Sequence, residues 1–503
     1  MSNLLLPILF PIAAGIAILA LPKKVFAFGR SGGERRGLCI ITGGFFVVTA
    51  LLLVMALLTT TSKDAPQIAF FLTRKLPIQF GFDALGRVFA VMISVVMLLA
   101  GCFSFVYMKH ENREKRYYGF YLIVYGMLNG LCFADNLMTF YLFYELMTIT
   151  SMPLVLHTQT KEAILAGLKY LFYSFCGAYM VLFGLFCLSR FCLSNTLTFG
   201  AGGILDRTLV EGHETLLLVT AFLMILGFSV KAGMFPLHAW LTKAHPAAPA
   251  PVSAVLSGIV VKAGVLGVIR VVYYLFGTQF LAGTWVQYTW LVLSLLTILM
   301  GSMMAYLEKG LKKRLAYSTI SQASYILFGL ALMQQTAFTG AVLHTVFHAF
   351  IKSALFLAAG AVIYQTGKKN VSELSGIGKE MPIVMWCYTI ASLGLIGIPP
   401  ASGFISKWYL ALGSLDFGVR AFAYTGVIVL LVSALLTAGY LLPITIRGFF
   451  VGDDYDYQAL KKKEPSKLMT IPLILLAAAT LLLGMFPNGL ISYIGDIAAA
   501  IMR

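Results

Sequence analysis

Residues 215–258 read TLLLVTAFLMILGFSVKAGMFPLHAWLTKAHPAAPAPVSAVLSG. Up to Val230 the run carries no charge; it then meets Lys231, Gly233 and Pro236. A helix needs about 20 apolar residues to cross a ~30 Å hydrocarbon core. The 215–241 run is long enough, yet a lysine sits far from either end of it. Proline lacks the backbone donor and clashes with the preceding turn. Carbonyls freed in this way are tolerated at membrane depth only inside protein or against a cavity. The stretch therefore predicts a membrane helix broken beside a buried cation. A second apolar run, 252–275, follows directly and carries Lys262.

Working outward, candidate spans fall near 3–21, 38–59, 84–107, 117–133, 136–156, 163–190, 215–241, 252–275, 287–305, 315–333, 341–364, 383–410, 421–446 and 470–493. The chain has 503 residues, 59% hydrophobic and 11% charged, with a mean hydropathy of +0.88. Soluble domains carry about 25% charged residues, and a soluble chain of this length would have about three polar surfaces to cover. The composition excludes an ordinary soluble enzyme and a disordered protein. The runs lack the ~10-residue alternating segments of a β-barrel, so helices must satisfy the backbone in lipid. The expected fold is an all-α polytopic membrane protein of fourteen helices, a single domain over 1–503 with short connections.

Net charge is +17, but the basic residues lie mostly in loops after odd-numbered runs. By the positive-inside rule that side is cytoplasmic, which places both termini on the non-cytoplasmic side. The excess fits topology and anionic headgroups of membrane lipid. Clustered basic residues with exposed aromatics, which nucleic acid would require, are missing. Met1-Ser2-Asn3 has no basic side chain and Lys23-Lys24 follows the first apolar run, the reverse of a cleavable signal's charge order. Cys39, Cys102, Cys132, Cys176, Cys187, Cys192 and Cys387 form no CxxC pair, and they read as small apolar filler rather than a zinc or iron–sulfur site.

Ionisable groups inside apolar runs carry the functional signal, since each costs at least ~2.5–3.5 kcal/mol at a helix centre. Lys169, Lys231, Lys262, Lys352 and Lys407 qualify, with Glu145 as the clear mid-span carboxylate. Lys169 lies near its helix start, where it can also snorkel to the headgroups. His344, His348 and Lys352 are spaced i, i+4, i+8 and share one helical face. HxxxH can bind a metal, but Lys352 on that face would repel a cation, which favours a proton-conducting row or plainly satisfied core histidines. His238 and His245 flank the first break as further candidates.

A second break reads LGLIGIPPASGFISKWYL at 393–410, where Gly397, Pro399, Pro400 and Gly403 precede Lys407. Paired broken helices in two halves mark the ion path of many inverted-repeat transporters. LKYLFYSF around Lys169 and FIKSALFL around Lys352 echo each other one span before each break. This suggests two inverted five-helix repeats: helices 4–8 over 117–275 and helices 9–13 over 287–446, with helices 7 and 12 broken. Helices 1–3 lie in 1–110, and helix 14 at 470–493.

HAWLTKAHPAAPAPVSAVLSGIVVKAG is the most specific block, joined by GFDALGRVF, FYLFYEL, KKRLAYSTISQASY, HTVFHAFIKSALFLAAG and GIPPASGFISKW. Through them the whole chain resembles the antiporter-like subunits shared by respiratory complex I, Mrp-type sodium/proton antiporters and membrane-bound energy-converting hydrogenases. Within that family it looks closest to the hydrogenase- and Mrp-related members. The resemblance implies the fourteen-helix inverted-repeat fold and a proton- or sodium/proton-translocating role. It assigns Glu145 to the fifth-helix glutamate, Lys231 and Lys262 to the seventh- and eighth-helix lysines, and Lys407 to the twelfth-helix ionisable group. One complex I subunit type has glutamate at that last position, so the chain departs from it. Thr242-Lys243 also replaces the family's usual proline-led pair. Little chain follows helix 14, leaving no room for the lateral helix of the largest complex I member. Partner membrane subunits and a peripheral redox arm are implied, in a prokaryotic-type plasma membrane. No cofactor is expected on this chain; nickel–iron and iron–sulfur centres would belong to hydrogenase-like partners.

As a mechanism, Glu145 close to Lys231 holds a proton on the lysine. Drawing Glu145 away releases that proton toward Lys262, His344, His348, Lys352 and Lys407. At 4 Å and an effective dielectric of ~20 such a pair is worth ~4 kcal/mol before desolvation. Competing readings are an Mrp-type antiporter subunit without redox partner, a stand-alone secondary transporter, and a structural anchor with a dead channel. The last should have lost Glu145, Lys231 or Lys407.

Overall fold

The computed structural model describes residues 3–26, 33–60, 67–73, 76–192, 196–451 and 462–502. Met1 and Ser2, and parts of the basic loops used for the topology argument, lie outside the described residues. Among the described residues, nine helices are long and apolar enough to cross a membrane. Two of them form the centre: Ala250–Phe276 is wholly buried along its most apolar window and Gln335–Thr366 94% buried. Helices apolar on every face belong in such a position. Around them pack Ala84–Tyr107, Glu214–Ala232, Leu311–Ala331, Pro382–Ile396, Ser402–Leu415 and Lys467–Met485. Glu34–Thr59 lies at the periphery, only 28% buried, with Val47, Leu51, Val54 and Leu58 exposed.

Both breaks form where the sequence places them. Helix Glu214–Ala232 stops at Gly233 (φ 79°) and helix Pro382–Ile396 at Gly397 (φ 93°). Both glycines are left-handed, a conformation that costs any residue with a Cβ. Gly233 directs its N–H back to the Val230 carbonyl and Met234 directs its own to Ser229, a Schellman-type ending. The chain resumes as Leu241–Ala247 after the first break and Ser402–Leu415 after the second. Phe235–Pro236 and Pro399–Pro400 are cis peptides.

Two expectations are corrected. The fold is mostly helical but not all-α: Gln67–Thr73 pairs antiparallel with Leu76–Phe80. A lone hairpin is marginal in water. This one is tied down by Gln79 N–H to Thr139 Oγ1 at 2.8 Å, and the Phe133 carbonyl accepts from the Gly81 N–H just beyond it. The run at 470–493 is not one helix. Lys467–Met485 ends before Pro487, and Asn488–Ile501 starts afresh with Ile494, Ile497, Ala498 and Ile501 buried on one face. Proline's missing donor ends the first helix there.

Candidate functional site

Lys231 occupies the last turn of helix Glu214–Ala232 and is fully buried. Its ammonium donates to Thr148 Oγ1 and lies 4.4 Å from the Tyr144 ring centroid and 5.4 Å from that of Tyr170. Cation–π contacts reach ~2 kcal/mol when desolvated and a hydrogen bond to a charged group ~1.5–3 kcal/mol. Removing an ion from water costs several kcal/mol, so these contacts offset the burial only in part. Glu145 stands one turn from Thr148 on helix Leu137–Val155, half-buried, with Oε1 shielded and without a hydrogen-bond partner among the described residues. Glu145 and Lys231 interact electrostatically, but no ion pair within 4.0 Å joins them. The pairing expected from sequence is thus open in this structure, and Thr148 is the lysine's direct partner.

Lys262 is brought against that region by Gly264, where a Cβ would lie 2.5 Å from the Phe228 carbonyl and 3.1 Å from the Lys231 Cβ. A π-helical turn, Leu256–Val260, comes immediately before Lys262, a distortion common at functional sites. The Lys262 ammonium binds the Ser257 carbonyl in that turn at 2.5 Å and His348 Nδ1 at 2.6 Å. His348 stacks on His344 at 5.7 Å between centroids. His344 Nδ1 meets Ser406 Oγ at 2.9 Å, and its ring stacks on Tyr325 at 5.6 Å. Lys407 lies over Tyr325 at 5.1 Å and donates to the Leu395 and Ile396 carbonyls at 2.7 and 2.9 Å. Those carbonyls end the first half of the broken helix, where intrahelical acceptors go unused. Lys262, His348, His344 and the half-buried Lys407 therefore form one line across three chain segments. Each of the two histidines engages a protein group through Nδ1, and neither Nε2 has a hydrogen-bond partner among the described residues.

Residues 134–437, which contain every group in this line and both breaks, match the family model for the transmembrane region of NADH:quinone oxidoreductase and Mrp antiporters. The chain belongs to this family. Residues 72–118 match the N-terminal model of complex I chain 5. An NADH-quinone oxidoreductase subunit of Desulforudis audaxviator is 30% identical over 82% of this chain and 83% of its own length. Hydrogenase-4 component B of Escherichia coli is also 30% identical, over 83% of this chain and 64% of its own length. A Na(+)/H(+) antiporter subunit of Alkalihalophilus pseudofirmus is 27% identical over 84% of both. The fold is shared with a chain of the Mrp complex from Dietzia (TM-score 0.84, 21% identity, 100% of this chain and 98% of that one). It is also shared with a chain of an archaeal membrane-bound sulfane sulfur reductase (TM-score 0.83, 24% identity, the same coverage). The protein is thus a multi-pass, antiporter-like ion-transport subunit of the complex I, Mrp and hydrogenase group.

Not every sequence candidate joins the antiporter-like line. Lys352 is fully buried, but its ammonium donates to the Leu315 carbonyl at 3.0 Å. This bond sets its ammonium to one side of the Lys262–Lys407 row. Thr319 donates to the same carbonyl and bonds the Ser257 hydroxyl, while Lys262 binds the backbone carbonyl of that serine. His245 is fully buried against Phe356, both ring nitrogens without a hydrogen-bond partner among the described residues, in the field of Lys352, Lys312 and Lys262. Lys312 bonds the Ala248 carbonyl at 2.7 Å beside a cavity of about 510 Å³ that Glu111 also lines. Lys169 sits apart, half-buried over Tyr173, in a groove shared with Thr242, Lys243 and Lys313. His238 stacks on Phe235 and feels Lys169. Sequence reading missed Thr148, Tyr325, Ser406 and Gln322. Gln322 is fully buried, and neither atom of its amide is hydrogen-bonded to a described residue. Its only signal was the density of polar residues in KKRLAYSTISQASY.

Proposed function

We propose that this chain translocates protons as the membrane subunit of an energy-converting complex, hydrogenase-like or a related redox-driven pump. The observation that carries the reading is the 2.6 Å Lys262–His348 bond within a line ending at the half-buried Lys407. With Lys262 as ammonium, His348 Nδ1 must accept, so the ring hydrogen is on Nε2, and that nitrogen has no hydrogen-bond partner among the described residues. A proton passed from Lys262 to Nδ1 makes the ring cationic and frees the Nε2 proton toward the stacked His344. Imidazole is suited to this because its two nitrogens can receive and release on opposite sides. Lys231, with Glu145 drawn back, reloads Lys262. Lys352, His245 and Lys312 form a side branch toward the Glu111 cavity. Broken-helix positions Gly233, Pro236, Pro399 and Pro400 supply the bends that place Lys231 and Lys407.

The same reading carries fourteen spans, two inverted five-helix repeats and termini on the non-cytoplasmic side. Further membrane subunits would flank the chain, and nickel–iron and iron–sulfur centres would reside on a peripheral arm. The likeness to the Alkalihalophilus Na(+)/H(+) antiporter protein favours, as second reading, an Mrp-type assembly with no redox arm. Mass spectrometry of chains that copurify in mild detergent separates the two. In vesicles holding the intact complex, Lys262→Met should lower proton flux about 100-fold, the scale of losing one positioned proton carrier. His348→Phe should act alike, with assembly retained in each. Unchanged flux in both variants would refute the proton line.

A further inference from the structure

A groove of about 730 Å³ runs between the N-terminal turns of Glu34–Thr59, the end of Ala84–Tyr107 and the start of Lys467–Met485. Its wall changes character along its length. Arg35, Arg36 and Lys109 stand at one end, whereas Cys39, Ile40, Phe105 and Leu468 line the rest. From Arg36 to Gly43, which also lines it, the helix rises about 10 Å at 1.5 Å per residue. That distance takes a chemical group from the charged rim to well inside the apolar part.

The charges at the rim are unevenly used. Arg35 is bound to Glu114 at 2.7 Å and to the Phe105 carbonyl. Arg36 and Lys109 are exposed, and their side chains make no hydrogen bond or ion pair with any described residue. One turn beyond Arg36, Ile40 is 59% exposed, and Leu468 in the first turn of its helix is 52% exposed, on helices that meet hydrocarbon elsewhere along their length. Two uncommitted cations over a concave apolar channel match one kind of molecule, with an anionic head and a hydrocarbon tail. Basic residues at the membrane surface attract anionic lipid, and long cationic side chains reach headgroups while their stems cover apolar surface.

We propose that this groove is a binding site for a single anionic phospholipid. Its phosphodiester is held by Arg36 and Lys109, and an acyl chain lies along Cys39, Ile40 and Phe105. The lipid would fill the gap between a peripheral helix and the core. Glu34–Thr59 would then be held to the rest of the molecule partly through a bound lipid.

Cys39 reports occupancy directly, because it lines the groove and is a free, partly exposed thiol. The purified complex is placed in nanodiscs of phosphatidylcholine, with or without phosphatidylglycerol. Alkylation of each cysteine by N-ethylmaleimide is followed by peptide mass spectrometry. Phosphatidylglycerol should slow modification of Cys39 about tenfold, leave Cys176 on helix Lys161–Leu188 unchanged, and lose its effect in the Arg36→Ala/Lys109→Ala variant. These two side chains make no hydrogen bond or ion pair with any described residue, so the variant should fold normally. Equal rates in the two lipid mixtures, or protection that survives in the variant, would overturn the site. Protection by inorganic phosphate in phosphatidylcholine alone would overturn the lipid as its occupant. A Cys39 unreactive in every mixture would mean that a neighbouring chain covers the groove.

Discussion

At the residue scale, Lys231 shows how a buried ammonium can be held without a carboxylate in contact. A hydroxyl and two aromatic faces surround it, and Glu145 acts from beyond ion-pair distance. In this state the lysine's hold on its proton depends on Thr148. Thr148→Val keeps the shape and removes the acceptor. A hydrogen bond to a charged group is worth ~1.5–3 kcal/mol, so proton flux should fall about 10- to 100-fold while the chain still assembles. Thr148→Ser should restore most of it. Equal flux in the valine and wild-type proteins, measured in the same vesicles, would place Thr148 outside the path. The lysines and Glu145 were legible in the sequence because an ion in an apolar run has no inexpensive alternative. Thr148 was not, because a hydroxyl in a helix usually bonds its own i−4 carbonyl, and Thr148 does that too, to Tyr144.

At the element scale, the breaks decide where the chemistry sits. Gly397 ends one half-helix in a left-handed turn, and Lys407 from the next half fills the space beside it, capping the Leu395 and Ile396 carbonyls. A Cβ at Gly397 would lie 3.0 Å from the Lys407 Cδ. Gly397→Ala should therefore strain the backbone by ~1–3 kcal/mol and also displace the lysine. It should lower both thermal stability and proton flux. Gly367, also left-handed at φ 72° but with open space around it, supplies the comparison: Gly367→Ala should lower stability alone. If both variants lose flux equally, the Gly397–Lys407 contact is irrelevant to transport. Proline and glycine at 233–236 and 397–403 made the breaks readable. The π turn before Lys262 holds a single glycine, Gly258, which does not by itself signal a π turn, and the break at Pro487-Asn488-Gly489 was passed over because apolar residues flank it on both sides. The strand pair Gln67–Thr73 and Leu76–Phe80 was missed because its anchors, Thr139 and Phe133, lie far along the chain.

At the scale of the whole molecule, the hairpin end is closed by a charged hub. Arg270, buried near the end of helix Ala250–Phe276, binds both oxygens of Asp83 at 2.5 and 2.9 Å and lies between the Phe199 and Tyr274 rings. Asp83 also caps helix Ala84–Tyr107 through the Gly86 N–H. Asp135 receives a 2.7 Å bond from Gln79 of the hairpin. Burial pushes the Asp135 carboxyl up to about 6; Arg270 pulls it down and Asp83 pushes it up by smaller amounts. The folded chain thus keeps this proton to higher pH than the unfolded chain, whose aspartates titrate near ~4. Its contribution to stability is full below that value and is lost as pH rises through about 6. Asp135→Asn retains an acceptor for Gln79 and cannot ionise. Thermal unfolding of the purified protein against pH should show the variant gaining on wild type between about pH 4 and 6. The gain should then level at about 1–2 kcal/mol, discounted for the part of Asp135 that solvent reaches. A difference that stays constant across that range would mean Arg270 keeps Asp135 ionised throughout. The hairpin end would then be locked by a fixed ion cluster instead of one that loosens as protons leave.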